Sequence, residues 1–303
     1  MKNRKIFFAF STILILIGLG AMIYNHMQGE DILNFDIEFK GGTVLHLDLE
    51  QQFNIETDIR PLVEEFFGSA VIQEVPGTYE VIITTQETDQ QSRQQFVEQL
   101  KVNFGLTNNI ILAEDSVSPT ISPEIQRNAV NAVLLGSFLM LIYIWIRFQD
   151  FKFGAAAVLA LIHDVLIMIG VYAVFRIPLN NSFIAAILTI IGYSINDTII
   201  VFDRIRENRK LISGHDEAIV TISIKQTLTR SINTSITTLI MVSSLYIFGT
   251  SSVREFAFPL VIGTISGTYS SIFIASPIWY ELRKLTRNKN QKKNTKEPDP
   301  QNA

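Results

Sequence analysis

The sequence predicts a polytopic α-helical membrane protein with six transmembrane helices and one α+β domain outside the membrane. Three observations lead to that fold class. Hydrophobic residues make up 48% of the 303 residues and charged residues only 18%, which is more apolar surface than a soluble core needs. Six apolar stretches are each long enough to cross a bilayer. The roughly 100 residues between the first two stretches are instead patterned like strands and helices.

Composition also excludes several classes of protein. The net charge is only −4, so no strong basic field favours binding to nucleic acid, and we expect no nucleic-acid partner. The chain has no cysteine, which rules out disulfides, thiol nucleophiles and thiolate metal sites.

The six predicted spans lie near the length of about 20 residues that the hydrocarbon layer requires. They cover residues 6–24, 129–146, 153–175, 183–202, 231–248 and 256–280. Basic residues precede the first span, as in a signal peptide, but no small-residue cleavage site follows it. We therefore interpret it as a retained anchor. The predicted domains are an N-terminal helix (1–24), an extracytoplasmic domain (25–126), a five-helix bundle (127–282) and a disordered cytoplasmic tail (283–303).

Basic residues predict the orientation of the spans. Eighteen of the 25 Lys and Arg residues fall on the side that holds both termini, and seven fall on the other side. The short loops show the same bias, which places both termini in the cytoplasm.

The predicted outside domain is acidic, with 18 Asp and Glu against four Lys and Arg over residues 25–126. Period-two alternation predicts strands at 43–49, 71–75, 79–85 and 110–114, while helical spacing predicts helices at 57–67 and 89–104. Thr57 is the predicted cap of the first of these helices, and Pro76-Gly77 is a predicted turn. The order β-α-β-β-α-β is typical of ferredoxin-like folds.

Ionisable side chains inside the spans are the main functional signal, because each costs about 2.5–3.5 kcal/mol at mid-helix. Span three contains His163 and Asp164, span four contains Asp197, and Arg230 precedes span five. A carboxyl group in a medium of low dielectric can exchange protons near neutral pH. We therefore interpret Asp197, Arg230, Asp164 and His163 as a proton-coupling set. The alternative is a set of interhelical contacts that only fixes packing.

Polar and small residues accompany these groups at helical spacing. We expect Gly263 and Gly267 in span six to allow close helix packing. A further polar stripe is expected to face the inside of the bundle and consists of Tyr193, Ser194, Asn196, Asn233 and Thr234. Residues 214–229 are patterned like an amphipathic helix at the membrane surface.

Catalytic motifs are absent from the sequence. It contains no Walker A motif, no H-E-x-x-H pair and no G-x-S-x-G elbow. We expect no enzymatic activity, no metal and no cofactor. An intramembrane aspartyl protease would need Asp164 and Asp197 to share one site, and their predicted depths differ.

The motif in span four resembles that of a known family. Residues 192–197 read GYSIND and residues 200–208 read IVFDRIREN, which is similar to the SecF family. His163-Asp164-Val165, the run TLTRS at 227–231 and the one-plus-five arrangement of spans agree with it. The resemblance covers about residues 1–285. Where the family has glycine-rich junctions, this chain keeps Gly41-Gly42, which we expect to allow a close backbone approach.

The resemblance implies a role in bacterial protein export. SecF belongs with the RND-type exporters and forms the SecDF complex with SecD. The complex acts with the SecYEG translocon on translocating preproteins, and YajC is a further candidate partner. An aspartate in the span-four motif and an arginine before span five are needed for proton-coupled action in that family, and these correspond to Asp197 and Arg230. The coupling ion is H⁺ or Na⁺, and the location implied is the bacterial plasma membrane, in contact with lipid.

Two other functions remain open from the sequence. The chain could be half of an RND-type exporter of small or lipidic molecules, although that class carries a second large outside domain. It could also be a non-conducting scaffold in which the buried charges only hold partners together.

Overall fold

The computed structural model describes residues 4–68, 70–75, 77–86, 89–118, 122–212 and 215–294. The first helix is α1 (Arg4–Met27). The next elements are α2 (Ile37–Lys40), β1 (Gly42–Asp48), α3 (Arg60–Phe67), β2 (Ala70–Glu74), β3 (Glu80–Thr85), α4 (Gln90–Phe104) and β4 (Ile111–Val117). The remaining helices are α5 (Ser122–Phe148), α6 (Phe151–Phe175), α7 (Asn181–Leu211), α8 (Asp216–Phe248), α9 (Ser251–Ser270) and α10 (Ser276–Asn294).

The chain divides into two compact units. We call the first the helix bundle; it comprises Met1–Leu33, Asn131–Ile177 and Ser182–Ala303. We call the second the sheet domain; it comprises Asn34–Val130 and the short segment Pro178–Asn181. The sheet domain is therefore not one continuous stretch of chain.

The sheet domain contains a four-stranded antiparallel sheet in the order β2-β3-β1-β4. In the register of the central pair, Thr43 is opposite Thr85 and Asp48 is opposite Glu80. The order of elements along the chain, β-α-β-β-α-β, is the one that the sequence predicts. The last strand runs to Val117, three residues beyond its predicted end at residue 114.

Alternate residues of the central strands form the core of the sheet domain, as their period-two pattern predicts. Leu45 and Leu47 of β1, with Val81 and Ile83 of β3, are fully buried. They pack in one cluster with Phe96 and Leu100 of α4 and with Ile59, Leu62 and Val63 around α3.

The helical segment predicted at residues 57–67 begins at Ile55 in the structure. A π-helical turn covers Ile55–Ile59, and the Asn54 side chain caps it by accepting a hydrogen bond from Glu56 N (2.9 Å). Asn and Thr are both favourable N-cap residues, and Asn54 takes that position here. The prediction that Thr57 is the N-cap was therefore wrong. Of the predicted Pro76-Gly77 turn, Pro76 lies outside the described residues and Gly77 has a φ of +83°.

Gly42 confirms the close backbone approach expected at Gly41-Gly42. Its φ is +137°, and a Cβ atom at this position would lie 2.3 Å from the carbonyl oxygen of Thr85. Glycine is therefore required where β1 starts.

The segment Pro178–Asn181, which joins α6 to α7, pairs with the chain that enters the sheet domain. Asp36 N donates to Leu179 O (2.9 Å), and Leu179 N donates to Asn34 O (2.7 Å). Phe35 and Leu179 form a parallel bridge.

Among the residues that the structure describes, six helices are long and apolar enough to cross a membrane, which confirms the number of predicted spans. The sixth of them, Ser252–Thr286, runs through α9, a π-helical turn at Ser271–Ala275 and the start of α10. The chain is a multi-pass membrane protein with a small sheet domain.

Two predicted segments differ from the structure. Residues 216–229 do not form a separate surface helix but are the first half of α8, which continues into the span. Buried Asn208 of α7 fixes this part of α8 by donating to Ser223 Oγ and Gln226 Oε1, both at 2.8 Å.

The second difference is the tail predicted to be disordered from residue 283. The helix instead continues to Asn294, and residues 295–303 lie outside the described residues. Arg283 forms an ion pair with Asp216 of α8 (2.8 Å), and Arg4 of α1 forms one with Glu281 (2.8 Å). These contacts favour an ordered start of the tail.

Candidate functional site

The middle of α6 carries a buried acidic group. Asp150 caps the start of this helix by accepting from Lys152 N (3.0 Å), and Arg176 ends it in a left-handed conformation. Between them, Asp164 is only 1% exposed. The other buried residues of α6 are mostly apolar, so the Asp164 carboxyl group is enclosed in the bundle and has almost no contact with solvent.

Asp164 accepts hydrogen bonds from three helices. Ser194 of α7 donates to Oδ2 (2.7 Å), as does Ser270 of α9 (2.7 Å), and Ser266 of α9 donates to Oδ1 (2.8 Å). His163 Nδ1 lies 3.1 Å from Oδ1. An ionised carboxylate has about four acceptor sites, so the three serine donors fill most of them and an N–H at His163 Nδ1 would fill the fourth.

His163 extends this cluster to the first helix. Its Nε2 lies 3.0 Å from Oγ of Ser11, which is buried on α1. Ser11 Oγ donates to the hydroxyl of Tyr269 on α9 (3.3 Å), and that hydroxyl donates to the carbonyl oxygen of Phe7 (2.9 Å). We call Asp164, His163, Ser11 and Tyr269 the α6 hydrogen-bond chain.

Glycines bring these helices close enough for short side chains to meet. A Cβ atom at Gly263 would lie 2.4 Å from Ile190, and one at Gly267 would lie 2.9 Å from Ser194. Both residues therefore lie where α9 packs against α7, in the packing role predicted for them. Gly18 of α1 and Gly170 of α6 form a second close contact, which the sequence analysis missed.

Asp197 of α7 is also buried, at 2% exposure, but it has few partners. Ser235 Oγ of α8 donates a long hydrogen bond to Oδ2, at 3.5 Å, and the Thr234 side chain of α8 also lies within reach of the carboxyl. Ser235 in turn accepts from Thr268 of α9 (2.6 Å). The two buried aspartates therefore have different hydrogen-bond partners and different degrees of satisfaction.

Arg230 lies one helical turn before Ser235 on α8 and is exposed. Its charge acts on the Asp197 carboxyl, although no ion pair joins the two side chains among the residues that the structure describes. Asp197 and Arg230, which were predicted to act together, therefore lie in the same region of the bundle but are not in direct contact.

The polar stripe expected on the inside of the bundle is exposed in part. Ser194 is buried and bonded to Asp164, and Tyr193 is half-buried. Asn196 of α7 and Asn233 and Thr234 of α8 are exposed in the single chain, although the Thr234 side chain lies within reach of the buried Asp197 carboxyl. The inward orientation of these three residues stays a prediction.

Helix α8 is polar on more than one face. Its buried hydroxyl-bearing residues are Ser223, Thr227, Ser231 and Ser235, which repeat every four residues. Asn233, Thr234 and Thr237 also repeat at helical spacing, on a neighbouring face that is exposed. Periodicity reveals both stripes but not which of them packs against α9.

Two buried hydroxyls lack a partner in the part of the chain that the structure describes. They belong to Tyr193 and Ser231, which lie within one turn of Asp197 on α7 and of Ser235 on α8, respectively. The surroundings of Asp197 are thus less satisfied than those of Asp164.

Five residues of the site were not predicted from the sequence: Ser11, Ser235, Ser266, Ser270 and Tyr269. A signal existed for two of them, because Ser266 and Ser270 repeat at i, i+4 on the face that carries Gly263 and Gly267. Ser11 had no such signal, since it is a single hydroxyl in an otherwise apolar span.

Six apolar helices, a buried network of ionisable and hydroxyl side chains, and a small sheet domain define a polytopic membrane protein with a polar core. Comparison with known proteins specifies the class further. The family described as "Protein export membrane protein SecD/SecF, C-terminal" matches residues 97–285.

Several proteins are similar over nearly the whole chain. Protein translocase subunit SecF of Sebaldella termitidis is 38% identical over 303 residues, covering 98% of this chain and 95% of that protein. SecF of Haemophilus influenzae is 36% identical, covering 93% of this chain and 85% of the relative. Protein translocase subunit SecDF of Thermus thermophilus is 40% identical over 265 residues, 35% of its length.

Solved structures agree. The crystal structure of the translocon-associated membrane protein SecDF from Thermus thermophilus superposes with a TM-score of 0.82 at 36% identity, covering 94% of this chain and 38% of that one. SecDF in the super-membrane-facing form gives a TM-score of 0.69 at 35% identity. This chain thus spans well under half of the SecDF chains.

The chain belongs to the SecF family of protein translocase subunits, as its span-four motif predicts. Its role is accordingly in protein translocation.

Proposed function

We propose that this chain is a SecF-type subunit that uses the proton motive force to assist translocation of preproteins across the bacterial plasma membrane through the SecYEG channel. The observation that carries the proposal is the environment of Asp197. This carboxyl is buried in the bundle, receives a long hydrogen bond from Ser235 at 3.5 Å with Thr234 also in reach, and lies near enough to Arg230 for the two charges to interact.

A carboxyl with few partners responds strongly to a change of charge. Ionised, Asp197 attracts Arg230 and accepts from Ser235; protonated, it loses the attraction and gains a donor. Each change alters the contact between α7 and α8. A charge that crosses a potential of 100 mV gains about 2.3 kcal/mol, which exceeds the worth of a typical hydrogen bond.

The proposed partner in the membrane is SecD, with YajC as a further candidate. An exposed polar face on two spans supports this proposal: it comprises Asn196 on α7 and Arg230, Asn233, Thr234 and Thr237 on α8. Such side chains are costly against lipid tails and are expected to face protein or water. A second helix bundle that presents polar groups would satisfy them.

We further propose that the termini are cytoplasmic, on the basis of the Lys and Arg distribution. The sheet domain then lies outside the membrane. Its strand order and element order support a ferredoxin-like assignment.

The coupling ion is proposed to be H⁺, with Na⁺ as the alternative, and no cofactor or catalytic activity is proposed. Asp164 and Asp197 bond to different serines, which is unlike the shared site of an aspartyl protease. The scaffold alternative draws support from Asp164, whose three serine donors suit a fixed structural contact.

The test uses the full-length chain with SecD and SecYEG in sealed vesicles, where export driven by an imposed proton gradient is measured. Asp197→Asn keeps the shape of the side chain but cannot ionise, and we expect at least a tenfold loss of gradient-dependent export with ATP-driven export retained. Glu207→Gln removes an acid from the exposed end of the same helix and serves as the matched control.

If Asp197→Asn leaves gradient-dependent export unchanged, the coupling function is contradicted and the scaffold function is favoured. Replacing the proton gradient with a sodium gradient distinguishes the two ions, because only the coupling ion restores export.

A further inference from the structure

The α6 hydrogen-bond chain has a fixed direction, and the direction determines the charge of His163. The last acceptor is the carbonyl oxygen of Phe7, which cannot donate, so the Tyr269 hydroxyl donates its only proton there (2.9 Å). The oxygen of Tyr269 must then accept from Ser11, whose hydroxyl lies 3.3 Å away.

The same count of hydrogen-bond donors and acceptors applies to the imidazole ring of His163. Since the proton of Ser11 is used toward Tyr269, Ser11 Oγ can only accept from His163 Nε2, at 3.0 Å. On the other side of the ring, Nδ1 lies 3.1 Å from Oδ1 of Asp164, which accepts from three serines and, as a carboxylate, can only accept. Both ring nitrogens therefore donate, and a histidine that donates from both nitrogens is protonated.

Charge balance leads to the same result. A lone carboxylate in an apolar interior is strongly disfavoured unless it is paired. In the described part of the chain, the group in contact with Asp164 that can carry a positive charge is His163, which is 7% exposed. The other elements around the pair present Ser11 (α1), Ser194 (α7) and Tyr269 (α9) to it, and the nearest further acid on α7 is Asp197.

We propose that His163 is a buried imidazolium, paired with Asp164, and that Ser11 and Tyr269 are positioning residues which link its charge to the attachment of α1. If Nε2 loses its proton, Ser11 must turn its hydroxyl toward the ring. Tyr269 then loses a donor, and one of the contacts between α1 and the bundle is weakened.

This inference rests on the proposed function in one respect: α1 leads directly into the sheet domain, so a charge-dependent hold on α1 would connect proton entry with that domain. The charge state itself does not depend on the export activity. His163 and Asp164 would thus form a fixed charge pair, separate from the sparsely bonded Asp197.

The test is solid-state NMR of the full-length chain, labelled with ¹⁵N-histidine and reconstituted in lipid with SecD. The chain has four histidines, and His26 and His215 are exposed while His46 is half-buried. The buffer is held at about pH 8, where an exposed imidazole with a pKa of about 6.5 is neutral. The signal that disappears in His163→Gln identifies His163.

We expect two protonated ring nitrogens for His163. Asp164→Asn is expected to abolish this cationic signal, and Ser11→Ala to reduce it at least twofold. Thr12→Ala is the matched control, because this neighbouring hydroxyl is exposed and bonds only to Phe8 O within its own helix. A neutral ring in the unmodified chain would overturn the proposal, as would a cationic ring that persists in Asp164→Asn.

The outcome is distinguishable from a failure of the proposed function. If Asp197→Asn exports normally but His163 is cationic, the coupling function fails and the charge pair stands. If Asp197→Asn loses gradient-dependent export and His163 is neutral, only the charge pair fails.

Discussion

The two buried aspartates show how local partners separate residues of the same type. Asp164 accepts from three serines on α7 and α9 and lies 3.1 Å from His163 Nδ1, whereas Asp197 has a long hydrogen bond from Ser235 at 3.5 Å and Thr234 in reach. Both were identifiable from sequence, because a carboxylate within an apolar run is rare and expensive. Their difference was not identifiable, because it depends on serines that come from other helices.

Removing one donor from Asp164 should cost stability. Ser270→Ala leaves its Oδ2 with one donor instead of two, and we expect a loss of about 1–2 kcal/mol in the free energy of unfolding. Unfolding of the full chain in mixed micelles measures this change. Ser244→Ala is the control, since that hydroxyl is exposed and bonds within α8; an equal loss in both variants would contradict the role given to Ser270.

A pH-dependent effect is expected in the sheet domain, at Asp36. Burial raises the pKa of this carboxyl, and the hydrogen bond from Ile37 N acts in the opposite direction. A carboxyl whose pKa rises on folding contributes stability that is complete below its ordinary pKa of about 3.9. That contribution is lost as the pH rises through the folded value.

Asp36→Asn keeps the acceptor for Ile37 N (2.8 Å) and removes the charge. We therefore expect slower hydrogen–deuterium exchange in the segment Asn34–Gly41 at about pH 8, and no difference at about pH 3, where Asp36 is protonated. Mass spectrometry of the full chain measures it, with Glu64→Gln on the exposed face of α3 as control. Faster exchange at pH 8 would contradict the sign.

At the level of elements, glycines decide how closely the helices pack. Gly263 and Gly267 were predicted as a small-residue face, because their four-residue spacing places them on one side of a helix. Gly18 and Gly170 were not predicted, since each lies alone in its span and only the structure shows that they meet.

Gly263→Ala should destabilise the contact between α9 and α7, because the added Cβ would lie 2.4 Å from Ile190. Overpacking of this kind costs about 1–3 kcal/mol, which unfolding in mixed micelles would detect. Combining it with Ile190→Ala, which removes the Cγ1, Cγ2 and Cδ1 atoms that the new Cβ would meet, should recover part of the loss. Gly20→Ala is the matched control, as nothing lies within 4 Å of its added Cβ, and a similar loss there would refute the steric explanation.

The packing of the elements also shows which features the sequence patterns could not predict. The six spans, the order of strands along the chain and the sheet domain between the first two spans followed from hydropathy and period. The patterns did not predict which face of α8 is buried. The face that carries Ser231 and Ser235 and the face that carries Asn233 are both polar. The helix that continues through Arg283 was also missed, since its ion pair with Asp216 joins residues far apart in sequence.

For the whole molecule, the exposed polar face of α7 and α8 implies a covering partner. The chain has no cysteine, so one introduced cysteine gives a unique attachment point. A photoreactive maleimide on Asn233→Cys or Thr237→Cys should give an adduct with SecD in native membranes. Leu134→Cys on α5, which is exposed and apolar, should label mainly lipid, with at least a fivefold lower yield. Equal yields would contradict the proposed interface.

The segment Pro178–Asn181 makes the sheet domain discontinuous in sequence, because it lies between α6 and α7, far along the chain from the rest of that domain. Both backbone groups of Leu179 bond to the stretch Asn34–Asp36, at 2.9 and 2.7 Å. The sheet domain is therefore complete only once the chain has been made as far as Asn181.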